Sequence, residues 1–196
     1  MEHSRAQIVA TIGPASKDSA VIEKMIQSQM DVARLNFSWG THEEHAGYIK
    51  TIRDAGEKLG KKVVIIQDLS GPRMQETGGH HFDTRVDEII TAKDIEDLQF
   101  GLAHAVDYVA MSYVGEPQDV LEMKKRIKEL GAETPVIAKI ERQQAVGDID
   151  AIIAVADAIM IARGDLGNEV PLEKIPLIEK QIIEKCKKAG KPVITA

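Results

Sequence analysis

Seven short apolar runs, each followed by a longer charged stretch, set the narrowest limit on how this chain folds. The runs lie at residues 7–12, 31–37, 62–68, 106–111, 135–140, 158–162 and 192–195. Between them, residues 19–29, 42–59, 92–105, 117–130, 143–155 and 172–189 carry apolar positions at helical spacing. Strand followed by helix in this rhythm means βαβ units and a parallel sheet. Thr41 ahead of Glu43-Glu44, and Thr91 three residues before Asp94, are helix-start signals. "LGKK" and "AGKP" each put a glycine just past a helix and a strand directly after it.

Two α/β architectures satisfy that rhythm: a doubly wound open sheet or a (β/α)8 barrel of the TIM type. The first turn, "TIGPAS", lacks the glycine pattern of a dinucleotide fold. Polar residues stand at the carboxyl ends of nearly every strand, as in a barrel whose active site lies at that face. The expectation is a (β/α)8-type barrel, incomplete at about seven strands, because such a barrel takes about 250 residues. Residues 1–196 form one barrel domain. Residues 71–89, with glycines, paired histidines and no sustained periodicity, form a long loop with a short hairpin.

The net charge of −6 speaks against nucleic acid as a partner, and a lone cysteine, Cys186, cannot form an intrachain disulfide. No apolar run approaches the roughly 18 residues of a membrane span, and the start "MEHSRAQIVATIG" lacks a signal-peptide core, so a cytoplasmic protein is expected.

Charged residues inside the apolar runs carry the chemistry. In "VIAKIERQQ", Lys139 and Glu141 are two apart and share one face of a buried strand, where an unpaired charge is costly. In "ARLNFS", Arg34, Asn36 and Ser38 share a face in the same way. Asp68 ends the third run, and "AIMIARGDLGNE" delivers Arg163 and Asp165 into a glycine-flanked loop. Glu141 and Asp165, from adjacent strands, suit a divalent cation. Lys139 and Arg34 suit a transferring phosphoryl group or a developing enolate. The backbone N–H groups of Gly164 and Asp165 suit a carboxylate. Taken singly, most such charges are solvated surface groups; four strands ending this way is a different matter. His80-His81 lack further ligands at a zinc spacing, and Trp39 reads as a rim residue.

The motifs "QIVATIGPAS", "VARLNFSWGTHEEH", "IIQDLSGPR", "ITAKDIEDLQFGL", "AKIE", "ADAIMIARGDLGNEVP" and "AGKPVITA" run in one order, and together they resemble pyruvate kinase. The resemblance implies a glycolytic phosphotransferase moving phosphoryl from phosphoenolpyruvate to ADP, giving pyruvate and ATP. It implies that Lys139 stabilises the transfer, that Arg34 touches the phosphoryl group and that Gly164 and Asp165 meet the substrate. Glu141 and Asp165 would hold Mg²⁺ or Mn²⁺. Asn36, Ser38, Asp68 and the carbonyl of Leu69 match the family's K⁺ site. Arg73, after "GP", stands where a glutamate accompanies K⁺ dependence and a lysine independence, so weak dependence is expected.

Departures from the family pattern are expected to matter. Residues 71–89 stand in place of a lid domain, and the C-terminal domain, the last barrel strand and a threonine after "ITA" are missing. Ser38-Trp39-Gly40 and Gln75 replace a histidine and an arginine on the nucleotide side. Two rival readings follow: metal-dependent enolate chemistry on pyruvate or oxaloacetate, and an inactive relative that binds a partner. Unpaired first and seventh strands, with Leu172, Ile175, Leu177, Ile178, Ile182 and Ile183 on the last helix, point to self-association or a complementary fragment.

Overall fold

The computed structural model describes residues 6–76, 79–83, 86 and 88–196. The side chains of Gln75, His80 and His81 lie outside what it describes, so the readings placed on them stay at the level of sequence.

Seven parallel strands form one sheet in chain order: β1 (Ile8–Ile12), β2 (Met30–Asn36), β3 (Val64–Asp68), β6 (Tyr108–Met111), β7 (Val136–Ile140), β8 (Ala158–Ile161) and β9 (Val193–Thr195). Between β3 and β6, Arg73–Glu76 (β4) and Gly79–Phe82 (β5) pair antiparallel as the expected hairpin. The helices are α1 (Ser19–Gln27), α2 (His42–Leu59), α3 (Ala92–Ala103), α4 (Pro117–Glu129), α5 (Gln143–Gly147), α6 (Ile149–Val155), α7 (Arg163–Leu166) and α8 (Ile175–Ala189). The capping boxes of Thr41 with Glu44 and Thr91 with Asp94 are both formed, and Gly60 and Gly190 close α2 and α8. No described helix is long and apolar enough to cross a membrane.

Alternation along each strand divides the sheet into two faces. Leu35, Ile65, Val109, Ala138, Ile140, Ile159 and Ile161 face the helices and build the main core with Ile22, Ile52, Leu98, Met123 and Ile152. The opposite residues, Val32, Ile66, Ala110, Ile137, Ala158 and Met160, make a second apolar cluster. Val9, Val32, Val64, Tyr108, Ile137, Ala158 and Val193 line one cavity of about 680 Å³. All seven strands contribute to that lining, so the sheet is curled around it, and β1 and β9 are its two edges. The α/β parallel sheet of incomplete (β/α)8 type is the fold formed.

Three details differ from the periodicity. Residues 143–155 divide into α5 and α6 around Asp148, because Gly147 and Asp148 are weak helix formers. Residues 172–174 are a 3₁₀ turn ahead of α8, and Pro176 in the first turn fits the helix start there. The glycine-flanked loop expected at residues 163–166 is the short helix α7. On the last helical segment, Ile175 and Ile182 are buried, while Leu172 and Leu177 stay exposed.

Candidate active site

The inner face changes character one register step above its apolar cluster. Thr11 and Arg34 are paired across β1 and β2, and Asn36 and Asp68 across β2 and β3. Two residues above Ala110 and Ile137, the same alternation aims Ser112 and Lys139 inward. A polar layer therefore caps an apolar one, at the carboxyl ends of the strands.

Lys139 is its centre. Its ammonium lies 3.0 Å from Asp68 Oδ1, 2.8 Å from Glu141 Oε1 and 2.7 Å from Ser112 Oγ. Two carboxylates and a hydroxyl thus surround the ammonium, the hydroxyl by a hydrogen bond and the carboxylates as close ion pairs. Residue exposures are 0% for Asp68, 4% for Lys139 and 2% for Glu141, so these charges are held by one another rather than by water. Burial works against the Lys139 charge, but Asp68 and Glu141 outweigh it and hold the ammonium above its usual range. Burial pushes the Glu141 carboxyl up; Lys139 pulls it down, Asp165 and Asp68 push it further up, and the net direction is upward.

The rest of the layer is tied to this centre. Arg34 donates from Nε to Asp68 Oδ2 at 2.5 Å and from Nη1 to Thr11 Oγ1 at 2.9 Å. Its side chain is 23% exposed, which makes it the accessible cation of the pair. Ser112 donates its hydroxyl to the Leu69 carbonyl at 2.7 Å, and Glu141 Oε2 accepts the Tyr113 N–H at 2.7 Å. Asn36 Oδ1 accepts the Ser38 N–H at 3.1 Å, while the Ser38 hydroxyl is buried without a partner among the described residues. Gly71 adopts φ +65°, and a Cβ there would meet Tyr113 Cδ2 at 2.9 Å, so only glycine fits both the turn and the approach.

Arg34, Asp68, Lys139 and Glu141 are brought into direct contact, and Asp165 is close enough to raise the Glu141 carboxyl. Gly164 and Asp165 lie in the first turn of α7. Among the described residues, no group of three or more His, Cys, Asp or Glu is placed to hold a metal. Sequence reasoning missed Ser112, Tyr113 and Thr11. Ser112 was legible as the polar residue just past the β6 run, in step with Ala110.

Beyond β2, the Ser38-Trp39-Gly40 turn is fixed by His45, whose ring stacks on Phe37 at 4.0 Å and bonds the Trp39 carbonyl at 2.9 Å. That carbonyl requires an N–H from Nε2, leaving buried Nδ1 as a bare acceptor. Burial lowers the His45 pKa from 6.5, overriding the opposing pull of Trp39, Asp97 and Glu44. The unfolded chain takes up this proton near 6.5, and the folded chain only at lower pH. Stability present above that value is lost as pH falls, by at most about 1.4 kcal/mol per unit for one proton. Urea unfolding at pH 7.5 and 5.5 should show a smaller drop for His45→Gln than for the unaltered chain. Equal drops would contradict this.

The whole chain can now be set beside known proteins. A family model described as pyruvate kinase, barrel domain, matches residues 3–88 and 81–196, two segments that meet at the hairpin. The chain is 36% identical to a pyruvate kinase of Thermococcus litoralis over 272 aligned positions, covering 98% of this chain and 57% of that protein. It is 33% identical to a pyruvate kinase of Staphylococcus aureus (strain MRSA252), covering 98% of this chain and 47% of that one. Both alignments are longer than the 196-residue chain, so each relative has residues within the matched span that this chain lacks. The chain spans about half the length of these relatives, and it belongs to the pyruvate kinase family through that family's barrel domain.

Proposed function

We propose that this chain carries a phosphoryl-transfer centre that moves phosphoryl from phosphoenolpyruvate to ADP, giving pyruvate and ATP. The observation that carries the reading is the buried Lys139 ammonium between Asp68 and Glu141, at the carboxyl end of a curled parallel sheet. A phosphoryl group leaving an enol oxygen spreads negative charge over its oxygens, and a fixed cation in a water-poor site stabilises it. Lys139 reaches such an oxygen by exchanging its one neutral partner, Ser112, whose hydroxyl keeps the Leu69 carbonyl. Arg34 meets the group from the exposed side while its Nε stays on Asp68. The enol O–P bond breaks, a bond forms from the terminal ADP oxygen to phosphorus, and the enolate takes a proton from solvent at its terminal carbon. The Gly164 and Asp165 N–H groups take the substrate carboxylate.

Glu141 and Asp165 are the pair to hold Mg²⁺ or Mn²⁺. Both offer hard carboxylate oxygens, and Asp165 adds to the cost of ionising buried Glu141, a repulsion that a divalent cation removes. Bound there, the cation supplies further neutralisation of phosphoryl charge. Titration with Mn²⁺ should show Glu141→Gln binding about tenfold more weakly or worse, with pyruvate formation lost alongside. Equal Mn²⁺ binding would reject the metal site, and no pyruvate from the unaltered chain would reject the reaction.

Asn36, Ser38, Asp68 and the Leu69 carbonyl are the set proposed for K⁺, and their oxygens are mostly committed. Asp68 faces both Arg34 and Lys139, the Leu69 carbonyl accepts Ser112, and Asn36 accepts the Ser38 N–H. The Ser38 hydroxyl, without a hydrogen-bond partner among the described residues, and Asp68 Oδ1, which has only its ion pair with Lys139, are what remain for a monovalent ion. With Arg73 as a fixed cation nearby, exchanging Na⁺ for K⁺ should change the rate only marginally. Strong activation by K⁺ would contradict that expectation.

A further inference from the structure

Tyr113 follows Ser112 just past the end of β6 and combines two unfavourable features. Its φ is +58°, a left-handed conformation that aromatic residues rarely adopt. Its hydroxyl is buried with no hydrogen-bond partner among the described residues. A phenylalanine would fill the same volume without stranding an oxygen, so the second feature is not a requirement of packing. Strained backbone and an unsatisfied buried group, found together beside a reactive cluster, are what a ligand-ready site contains.

The ring has little freedom to turn away. The Tyr113 N–H is held by Glu141 Oε2 at 2.7 Å, and Gly71 closes against one ring edge. Phe82 of the hairpin lies 5.4 Å away, centroid to centroid, and Phe82 is itself covered by the Arg142 guanidinium at 4.1 Å. The residue is seated on the cluster through its own N–H to Glu141, and the charges of Glu141, Arg73, Asp165 and Lys139 act on its hydroxyl. Glu141 has both oxygens engaged, by Lys139 and by the Tyr113 N–H.

We propose that the Tyr113 hydroxyl is a hydrogen-bond donor to an anionic oxygen of the substrate held beside Glu141 and Asp165. The assignment rests on the phosphoenolpyruvate reading above and adds to it a binding residue, steadied by the Phe82–Arg142 stack. The donor reaches either a carboxylate or a phosphoryl oxygen, and the probes below separate the two.

The test uses the full chain and Tyr113→Phe, which removes one oxygen. Without ligand, Tyr113→Phe should unfold at the same urea concentration or a higher one, since the lost hydroxyl has no partner. With Mg²⁺ present, calorimetry should show phosphoenolpyruvate binding about tenfold more weakly to Tyr113→Phe. A matching loss for pyruvate assigns the carboxylate; a loss for inorganic phosphate alone assigns the phosphoryl oxygen. Clear destabilisation of ligand-free Tyr113→Phe would reveal an internal partner and overturn the inference. So would equal phosphoenolpyruvate affinities, which leave the proposed reaction standing. No binding of phosphoenolpyruvate by the unaltered chain would overturn that reaction and this inference with it.

Discussion

Replacing Lys139 by methionine is expected to abolish phosphoryl transfer and to lower folding stability by about 3–5 kcal/mol. Methionine fills the stem of the side chain, so little of this is cavity. The cost comes from Asp68 and Glu141, both buried, which lose the ammonium that neutralises them at 3.0 and 2.8 Å. Arg34 still serves Asp68, so Glu141 is the carboxylate left exposed to the full penalty. The pH dependence follows from the directions of the shifts. The Lys139 pKa is raised above 10.5, so its contribution is complete below that value and is lost only as pH rises through the higher folded value. In Lys139→Met, protonating Glu141 removes the uncompensated charge, and its carboxyl is already pushed up toward that state. The deficit should therefore shrink as pH falls toward 5. Urea unfolding at pH 8 and pH 5 measures it. A deficit under about 1 kcal/mol, the scale of an exposed pair, or one that does not change with pH, would contradict the buried-pair account.

Gly101→Ala is expected to cost about 3 kcal/mol, from overpacking and a lost buried hydrogen bond. A Cβ on Gly101 would sit 2.0 Å from Gln67 Oε1, with the whole Gln67 amide within 2.8 Å. Gln67 cannot yield cheaply. It is fully buried on the helix-facing side of β3, and its amide donates to the Asp97 carbonyl at 2.5 Å. Relief requires either breaking that bond in a dry interior or moving α3 off the sheet, which would part Leu98 from the main core. The effect should reach the active site, because Gln67 precedes Asp68 and the two point to opposite faces of the strand. A double-mutant cycle separates clash from other effects: in a Gln67→Ala background, Gly101→Ala should cost far less. Simple additivity would show that the close approach is not what the glycine serves.

The sheet, its strand order and most helix starts were legible because they depend on local pattern. Alternation in "VIAKI", the threonine caps at 41 and 91, and a two-residue spacing between charges each act over a few residues. Lys139 and Glu141 could be placed on one face from spacing alone, and they are in contact. What the pattern did not carry is contact between distant parts of the chain. Ser112 and Thr11 matter because the pairing of neighbouring strands, distant in sequence, sets them beside Lys139 and Arg34. Tyr113, Phe82 and Arg142 come together from three separate elements, and no spacing links them. The division at Asp148 and the four-residue α7 escaped for a simpler reason: neither is long enough to generate a period.

Phosphorus NMR of phosphoenolpyruvate with ADP and Mg²⁺ tests the central claim most directly, since it follows the transferred atom itself. With the unaltered chain, the phosphoenolpyruvate resonance should decline as the γ-phosphate of ATP grows in step, and with Lys139→Met both should stay fixed. Phosphoenolpyruvate unchanged by the unaltered chain, or transfer that persists without Lys139, would contradict the assignment of phosphoryl chemistry to this buried ammonium.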